Sequence, residues 1–169
     1  EIGAEEKNKD TVPRGNFGNM LAAYYAKQMG GPIEKLICAS NENKVLFDFF
    51  KTGRYDRNRE FVLTSSPSMD ILISSNLERL IYTIAGQDAG KNAALMQQLK
   101  TEGAYEITPD MKEKLADFIG GFADEEETKA AIRDTYRSTG YVMDTHTAVA
   151  AHVCKAYREE SKDNRKALI

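Results

Sequence analysis

This chain has no surplus of positive charge, no long apolar run, and almost no cysteine or histidine. Lys and Arg number 23 against 26 Asp and Glu, a net charge of −3. The basic residues are dispersed, so no basic stripe points to nucleic acid. No apolar stretch approaches the roughly 18–20 residues needed to span a bilayer, and no signal-peptide h-region opens the chain. Cys38 and Cys154 are the only cysteines, each flanked by apolar residues. Two buried, reduced thiols are the expectation, and with them a soluble, cytoplasmic protein. The two histidines, His146 and His152, fall on different faces of one helical pattern and make no metal pair. There is no GxGxxG and no GxxxxGK[ST], so neither a dinucleotide nor a nucleoside triphosphate is indicated.

What remains is 169 residues, 41% of them hydrophobic, enough for one domain with a real core. Thr11-Val12 reads as the end of a strand closed by Pro13. A helix follows from near Gly18, with Leu21, Tyr24 and Tyr25 on one face, and Gly30-Gly31-Pro32 stops it. Glu34 to Ala39 reads as a short buried strand. Asn41 is placed to cap a helix carrying Val45, Leu46, Phe49 and Phe50, with Gly53 as its stop. That succession argues for parallel strands in an α/β sheet. Residues 1–60 form this β/α part, and 61–169 read as a helix-rich part of the same unit. Arg54 to Arg59 looks like a charged loop and Phe61-Val62-Leu63 like a brief strand. Four helical patterns follow: Leu77 to Ile84; Leu95 to Leu99, ending at Gly103; Met111, Leu115, Phe118 and Ile119 after Thr108-Pro109; and Ile132 with Tyr136 after the acids Asp124 to Glu127. A last helix follows Asp144, with Val149, Val153, Ala156 and Tyr157 inward. Lys166-Ala167-Leu168-Ile169 reads as a strand barely begun, which suggests a piece of a longer polypeptide.

Gly15-Asn16-Phe17-Gly18-Asn19 puts two glycines and two asparagines at the entry to the first helix. Bare N–H groups converging at a helix N-terminus suit an anion, and phosphate above all. A tight turn with Asn16 or Asn19 as an ordinary cap is the competing reading. Thr147 sits three residues into the last helix, where its hydroxyl can face the Asp144 cap or a ligand. Ser40-Asn41-Glu42-Asn43 lies at the carboxyl end of the second strand, the edge at which open α/β sheets bind ligands. Serines cluster at Ser65-Ser66-Pro67-Ser68 and Ser74-Ser75, yet no histidine at a suggestive spacing makes a hydrolase of Ser68.

Four stretches taken together resemble threonine synthase: Val12-Pro13 with Gly15 to Asn19, Leu36 to Asn43, Ser66 to Arg79, and Asp144 with His146 to Ala150. The resemblance covers essentially the whole chain, in order and spacing. It implies the tryptophan-synthase β-like fold, pyridoxal phosphate as cofactor, and conversion of O-phosphohomoserine and water to threonine and phosphate. Gly15, Asn16, Phe17, Gly18 and Asn19 would then cradle the cofactor's 5′-phosphate, and Thr147 would meet its pyridine nitrogen. A hydroxyl there implies an unprotonated nitrogen and a weaker electron sink. Asn41, Arg54 and Ser68 are candidates for the substrate, by position only. The family's Schiff-base lysine lies in a motif resembling Ser-Phe-Lys-Asp, which does not occur here, so the chain alone is expected to be inactive. Arg14 and Thr145 stand where the family usually carries threonine and proline. The alternative is a non-catalytic phosphate-binding or scaffold module on the same fold. Sheet edges left bare along Leu36-Ile37-Cys38 and Phe61-Val62-Leu63 would favour self-association.

Overall fold

The structure, a computed structural model, describes the backbone of residues 8–13 and all of residues 16–169. Gly15 and Arg14 therefore lie outside the described residues. Strand β1 (Asn8–Pro13) leads to helix α1 (Gly18–Gln28), strand β2 (Ile33–Ser40), helix α2 (Val45–Thr52) and strand β3 (Arg54–Asp56). Helices α3 (Leu77–Ile84) and α4 (Ala89–Glu102) precede strand β4 (Ala104–Glu106), the short helix α5 (Pro109–Glu113) and strand β5 (Phe118–Phe122). Helices α6 (Glu125–Thr139) and α7 (Thr145–Ser161) and strand β6 (Ala167–Leu168) complete the chain.

The main sheet runs β5-β2-β1-β6, all parallel. Val12 stands opposite Cys38, and Cys38 in turn opposite Gly120. Side chains of β2 alternate between two cores, as the twofold period of a strand requires. Leu36 and Cys38 join Met20, Phe49 and Phe118 on the α1/α2 face, while Ile37 and Ala39 join Val149 and Val153 on the α7 face. A strand covered on both faces reads as an apolar run, the form that β2 takes.

Several expectations fail here, each for a local reason. Leu36-Ile37-Cys38 is no edge: it lies inside the sheet, and all three residues are wholly buried. Phe118 and Ile119 do not continue α5. They open β5, because the chain needs an extended, thin strand there. A Cβ on Gly121 would sit 2.3 Å from Val153 Cγ1, and one on Gly120 would sit 3.1 Å from Phe47 Cα. The glycines let α7 and α2 close onto opposite faces of the strand. Arg54 to Asp56 is a strand after all, paired antiparallel with β4, and Tyr55 stacks on Tyr105 with ring centroids 5.3 Å apart. Phe61-Val62-Leu63 is not a strand, since the Asn43 side chain takes both backbone groups of Val62. Asn41 does not cap α2, which begins after Lys44 with no side-chain cap. Ala156 is exposed, and α6 buries only Thr128 of its own residues. The short β6 does pair with β1, as the last residues suggest. The part that read as helix-rich thus returns two strands to the sheet.

Cys38 and Cys154 are both buried and neither is in a disulfide. Among the described residues no helix is long and apolar enough to cross a membrane.

Candidate functional site

In a parallel sheet every strand points its carboxyl end to the same rim, and the helices that follow begin there. α1 begins at this rim after β1, and α6 after β5. The N-terminal end of α7 is brought there too, because Thr145 Oγ1 donates to the carbonyl of Ser65 at 2.7 Å and Ser65 N–H donates to Glu125 at the start of α6. A proline at position 145, usual in the family resembled, could not make that bond. α1 and α7 lie on opposite faces of the sheet with their starts on one rim.

The turn into α1 is unusual. Phe17 adopts the left-handed conformation (φ 65°) as the residue before the helix, which a non-glycine residue holds only where its surroundings enforce it. Its ring enforces it: wholly buried, it packs 5.9 Å from both Phe50 and Phe118. Asn16 Oδ1 accepts the Gly18 N–H at 3.1 Å, and the N-cap residue Phe17 makes no side-chain cap bond. A Cβ on Gly18 would come 3.3 Å from Asn16 Oδ1 and 3.4 Å from Asn76 Nδ2. Bulk is excluded from this first turn, while Asn19 is exposed. At the end of β2 the buried Ser40 hydroxyl has no protein partner among the described residues.

One segment, residues 62–76, runs along the rim and joins its parts. At its start, Asn43 holds Val62 and Asp70 accepts from Asn41, Asn43 and Thr64. In the middle, Ser68 N–H donates to His146 Nε2 at 3.3 Å. At its end, Asn76 N–H donates to the carbonyl of Asn16. Tyr55 steadies the span from below, donating to the Leu72 carbonyl and accepting from Ser74 N–H. Burial pushes the Tyr55 hydroxyl up to about 12.

The candidate residues divide accordingly. Asn16, Phe17, Gly18 and Asn19 form one group at α1, while Ser68 and Thr147 meet around His146 at α7. Asn41 is committed to the segment: its amide nitrogen has Thr64 Oγ1, Ser66 Oγ and Asp70 Oδ1 within bonding distance, and its oxygen accepts Asn43 N–H. Arg54 stands apart, exposed beyond the far end of α2, with its guanidinium on Asp56. Ser68, His146 and Asp144 do fall in a row, with His146 Nδ1 3.4 Å from Asp144 Oδ1. They make no hydrolytic triad, because the acceptor nitrogen already receives the Ser68 backbone N–H. Thr147 turns its hydroxyl to the cap, donating to Asp144 Oδ2 at 2.5 Å. That hydroxyl, followed by the N–H groups of Thr147 and His146, holds the Asp144 carboxyl below the usual carboxylate range. Thr64, Asp70 and Tyr55 carry the segment and were not singled out by sequence. Only Asp70 had a signal, lying within the Ser66–Arg79 stretch.

Parallel strands ending in helix N-termini, spanned by one polar segment, make an open α/β unit, the class of fold that binds ligands at this rim. Its relatives are threonine synthases. The chain is 42% identical to threonine synthase of Saccharomyces cerevisiae over 177 aligned residues, covering 96% of this chain and 34% of that one. It is 49% identical over 152 residues to threonine synthase-like 1 of Macaca fascicularis, covering 89% of this chain and 20% of that protein. The crystal structure of PLP-bound threonine synthase from Brucella melitensis superposes with a TM-score of 0.90 at 38% identity, over 96% of this chain and 34% of that one. No family model matches. In sequence and fold the chain is a homologue of threonine synthase, spanning about a third of the synthases it matches and a fifth of the synthase-like proteins.

Proposed function

We propose that this chain supplies the phosphate cradle and the ring-nitrogen contact of a pyridoxal-phosphate-dependent threonine synthase, which converts O-phosphohomoserine and water to threonine and phosphate. The observation that carries the reading is the coincidence of two facts. The likeness to threonine synthases runs through nearly the whole chain, and Asn16, Asn41, Ser68 and His146, one from each of the four stretches that resemble the family, are tied together at one rim through residues 62–76.

The residues present fit the cofactor. A phosphate needs converging N–H groups and a helix's positive end without intruding bulk. The turn at Asn16–Asn19 has a helix start whose N-cap residue, Phe17, makes no side-chain cap, Asn16 taking only the Gly18 N–H, and it leaves little room for a Cβ at Gly18. The unpartnered Ser40 hydroxyl adds a polar group at the neighbouring strand end. Thr147 would receive the ring nitrogen from the start of α7. When bound, pyridoxal phosphate supplies an electron sink for carbanion chemistry. The chain's own part is to bind, orient and set the charge of the ring.

The lysine that holds such a cofactor covalently has no counterpart here in a Ser-Phe-Lys-Asp context, so the isolated chain is expected to show no turnover. Two buried cysteines outside any disulfide support a reducing, cytoplasmic setting. Titration with pyridoxal phosphate, followed by amide shifts, tests the reading. Saturable shifts at Asn16–Asn19 and Thr147 are expected, and shifts scattered over surface lysines alone would overturn it. Phosphate release from O-phosphohomoserine by the isolated chain would overturn the expectation of inactivity.

A further inference from the structure

Helices α1, α3 and α4 leave a pocket of about 370 Å³ between them, lined by Tyr25, Glu78, Arg79, Tyr82 and Asn92. Small-molecule sites begin at about this size. Glu78 and Arg79, neighbours in the first turn of α3, carry opposite charges, yet neither forms an ion pair among the described residues. Arg79 Nη1 donates to Asn76 Oδ1 at 2.6 Å, and the rest of its guanidinium fork has no hydrogen bond among the described residues. Glu78 Oε1 accepts only Asn92 Nδ2, at a long 3.4 Å. The other end of that amide, Asn92 Oδ1, is buried with no partner among the described residues. A buried amide oxygen without a donor is costly, and turning the amide toward a donor in the pocket would relieve it.

These groups select among ligand classes. A simple cation would be repelled by Arg79, and a simple anion by Glu78. A ligand carrying both charges satisfies both, with its carboxylate on the unused side of the Arg79 fork and its ammonium on Glu78 and Asn92 Oδ1. Tyr25 and Tyr82, exposed on either side, supply aromatic surface for the rest of the molecule. We propose that this pocket binds a free α-amino acid with an apolar or aromatic side chain. Each end of a peptide lacks one of the two charges, so the free amino acid is the form that fits. The inference does not rest on the cofactor reading, since none of the five lining residues belongs to that candidate set.

The test is a titration of the chain with L-phenylalanine, followed by backbone and side-chain amide shifts. Saturable shifts at Tyr25, Glu78, Arg79, Tyr82 and the Asn92 side chain are expected, with a Kd on the order of 1 mM for a pocket this open. N-acetyl-L-phenylalanine, which has no ammonium, and L-phenylalanine methyl ester, which has no carboxylate, should each bind at least about tenfold more weakly. Glu78→Gln removes the partner of the ammonium. It should bind L-phenylalanine about tenfold more weakly without losing affinity for the N-acetyl compound, an outcome that a disturbed fold would not give. Equal binding of the three compounds overturns the inference, as does an equal loss for both ligands in Glu78→Gln. So do shifts confined to Asn16–Asn19 and Ser68 at the rim, or the absence of saturable shifts around the pocket.

Discussion

Asp70 Oδ1 lies 2.7 Å from Asn41 Nδ2, and that contact fastens residues 62–76 to the end of the central strand. The same oxygen accepts from Asn43 Nδ2 at 3.0 Å and Thr64 Oγ1 at 2.7 Å, and Oδ2 accepts Thr64 N–H. A network satisfied on every side defines one arrangement, and its energy is shared among its members. Through it, the position of β2 determines where Ser68 meets His146 and where Asn76 meets Asn16. Asn41 serves the site by holding this segment.

Asp70→Ala should therefore be among the costliest single changes near the rim. It leaves the Asn43 amide and the Thr64 N–H short of an acceptor, at about 1–3 kcal/mol for each group left dry. Water reaches part of the network, so a net loss of roughly 2–3 kcal/mol in urea unfolding is expected. Asp70→Asn, which keeps one acceptor, should lose less. A loss in Asp70→Ala no larger than that of a surface substitution, about 0.5 kcal/mol, would show that the network does not hold the segment.

Gly121→Ala tests the closure of α7 on β5. The added methyl would lie 2.3 Å from Val153 Cγ1 and 3.3 Å from Cγ2. A β-branched side chain in a helix has one strongly preferred rotamer and cannot swing aside. The expected cost is about 1–3 kcal/mol. Combining it with Val153→Ala should recover at least about 1 kcal/mol relative to additivity. Strict additivity in the double mutant would count against the contact.

The central sheet was legible because β2 carries the unbroken apolar run Leu36–Ala39 and α1 carries both a glycine-rich entry and a Gly-Gly-Pro exit. β5 was not. Phe118-Ile119-Gly120-Gly121-Phe122 carries helix-compatible apolar spacing after Thr108-Pro109, and its glycines gain meaning only from the helices pressing on them. Asn41 looked like a cap because its type and position fit one. Its oxygen does accept a nearby N–H, that of Asn43, but the partners of its amide nitrogen are more than twenty residues away, which no local pattern contains. The cap at Asp144 was local and therefore readable, but the direction of the Thr147 hydroxyl needed coordinates.

Tyr55 gives a pH dependence. Its hydroxyl, raised to about 12 mainly by burial, stays neutral in the fold after the unfolded chain has begun to ionise near 10. Stability from this group is complete below pH 10 and is lost as pH rises from there through about 12, because the unfolded state releases its proton first. Tyr105, stacked on it, is raised by burial as well and acts in the same direction. Chemical denaturation followed from pH 8 to 12 should show this decline, and Tyr55→Phe should flatten it while lowering stability at pH 8 by roughly 1 kcal/mol through the lost bonds to Leu72 and Ser74. An equally steep decline in Tyr55→Phe would assign the alkaline loss elsewhere.

Self-association is expected at β5 rather than along Leu36-Ile37-Cys38. Among the described residues β5 ends the sheet, pairs only with β2, and offers a five-residue outer edge without a lysine or proline. Such an edge has none of the features that keep strands from pairing with a second copy. β6, at the other edge, is two residues long and follows Lys166, which makes it a poor template. Sedimentation velocity should show a dimer growing with concentration. Amide exchange in the associated state should slow at Phe118–Phe122 and stay unchanged at Leu36–Cys38. A monomer throughout, or protection appearing elsewhere, would show that this edge is inert.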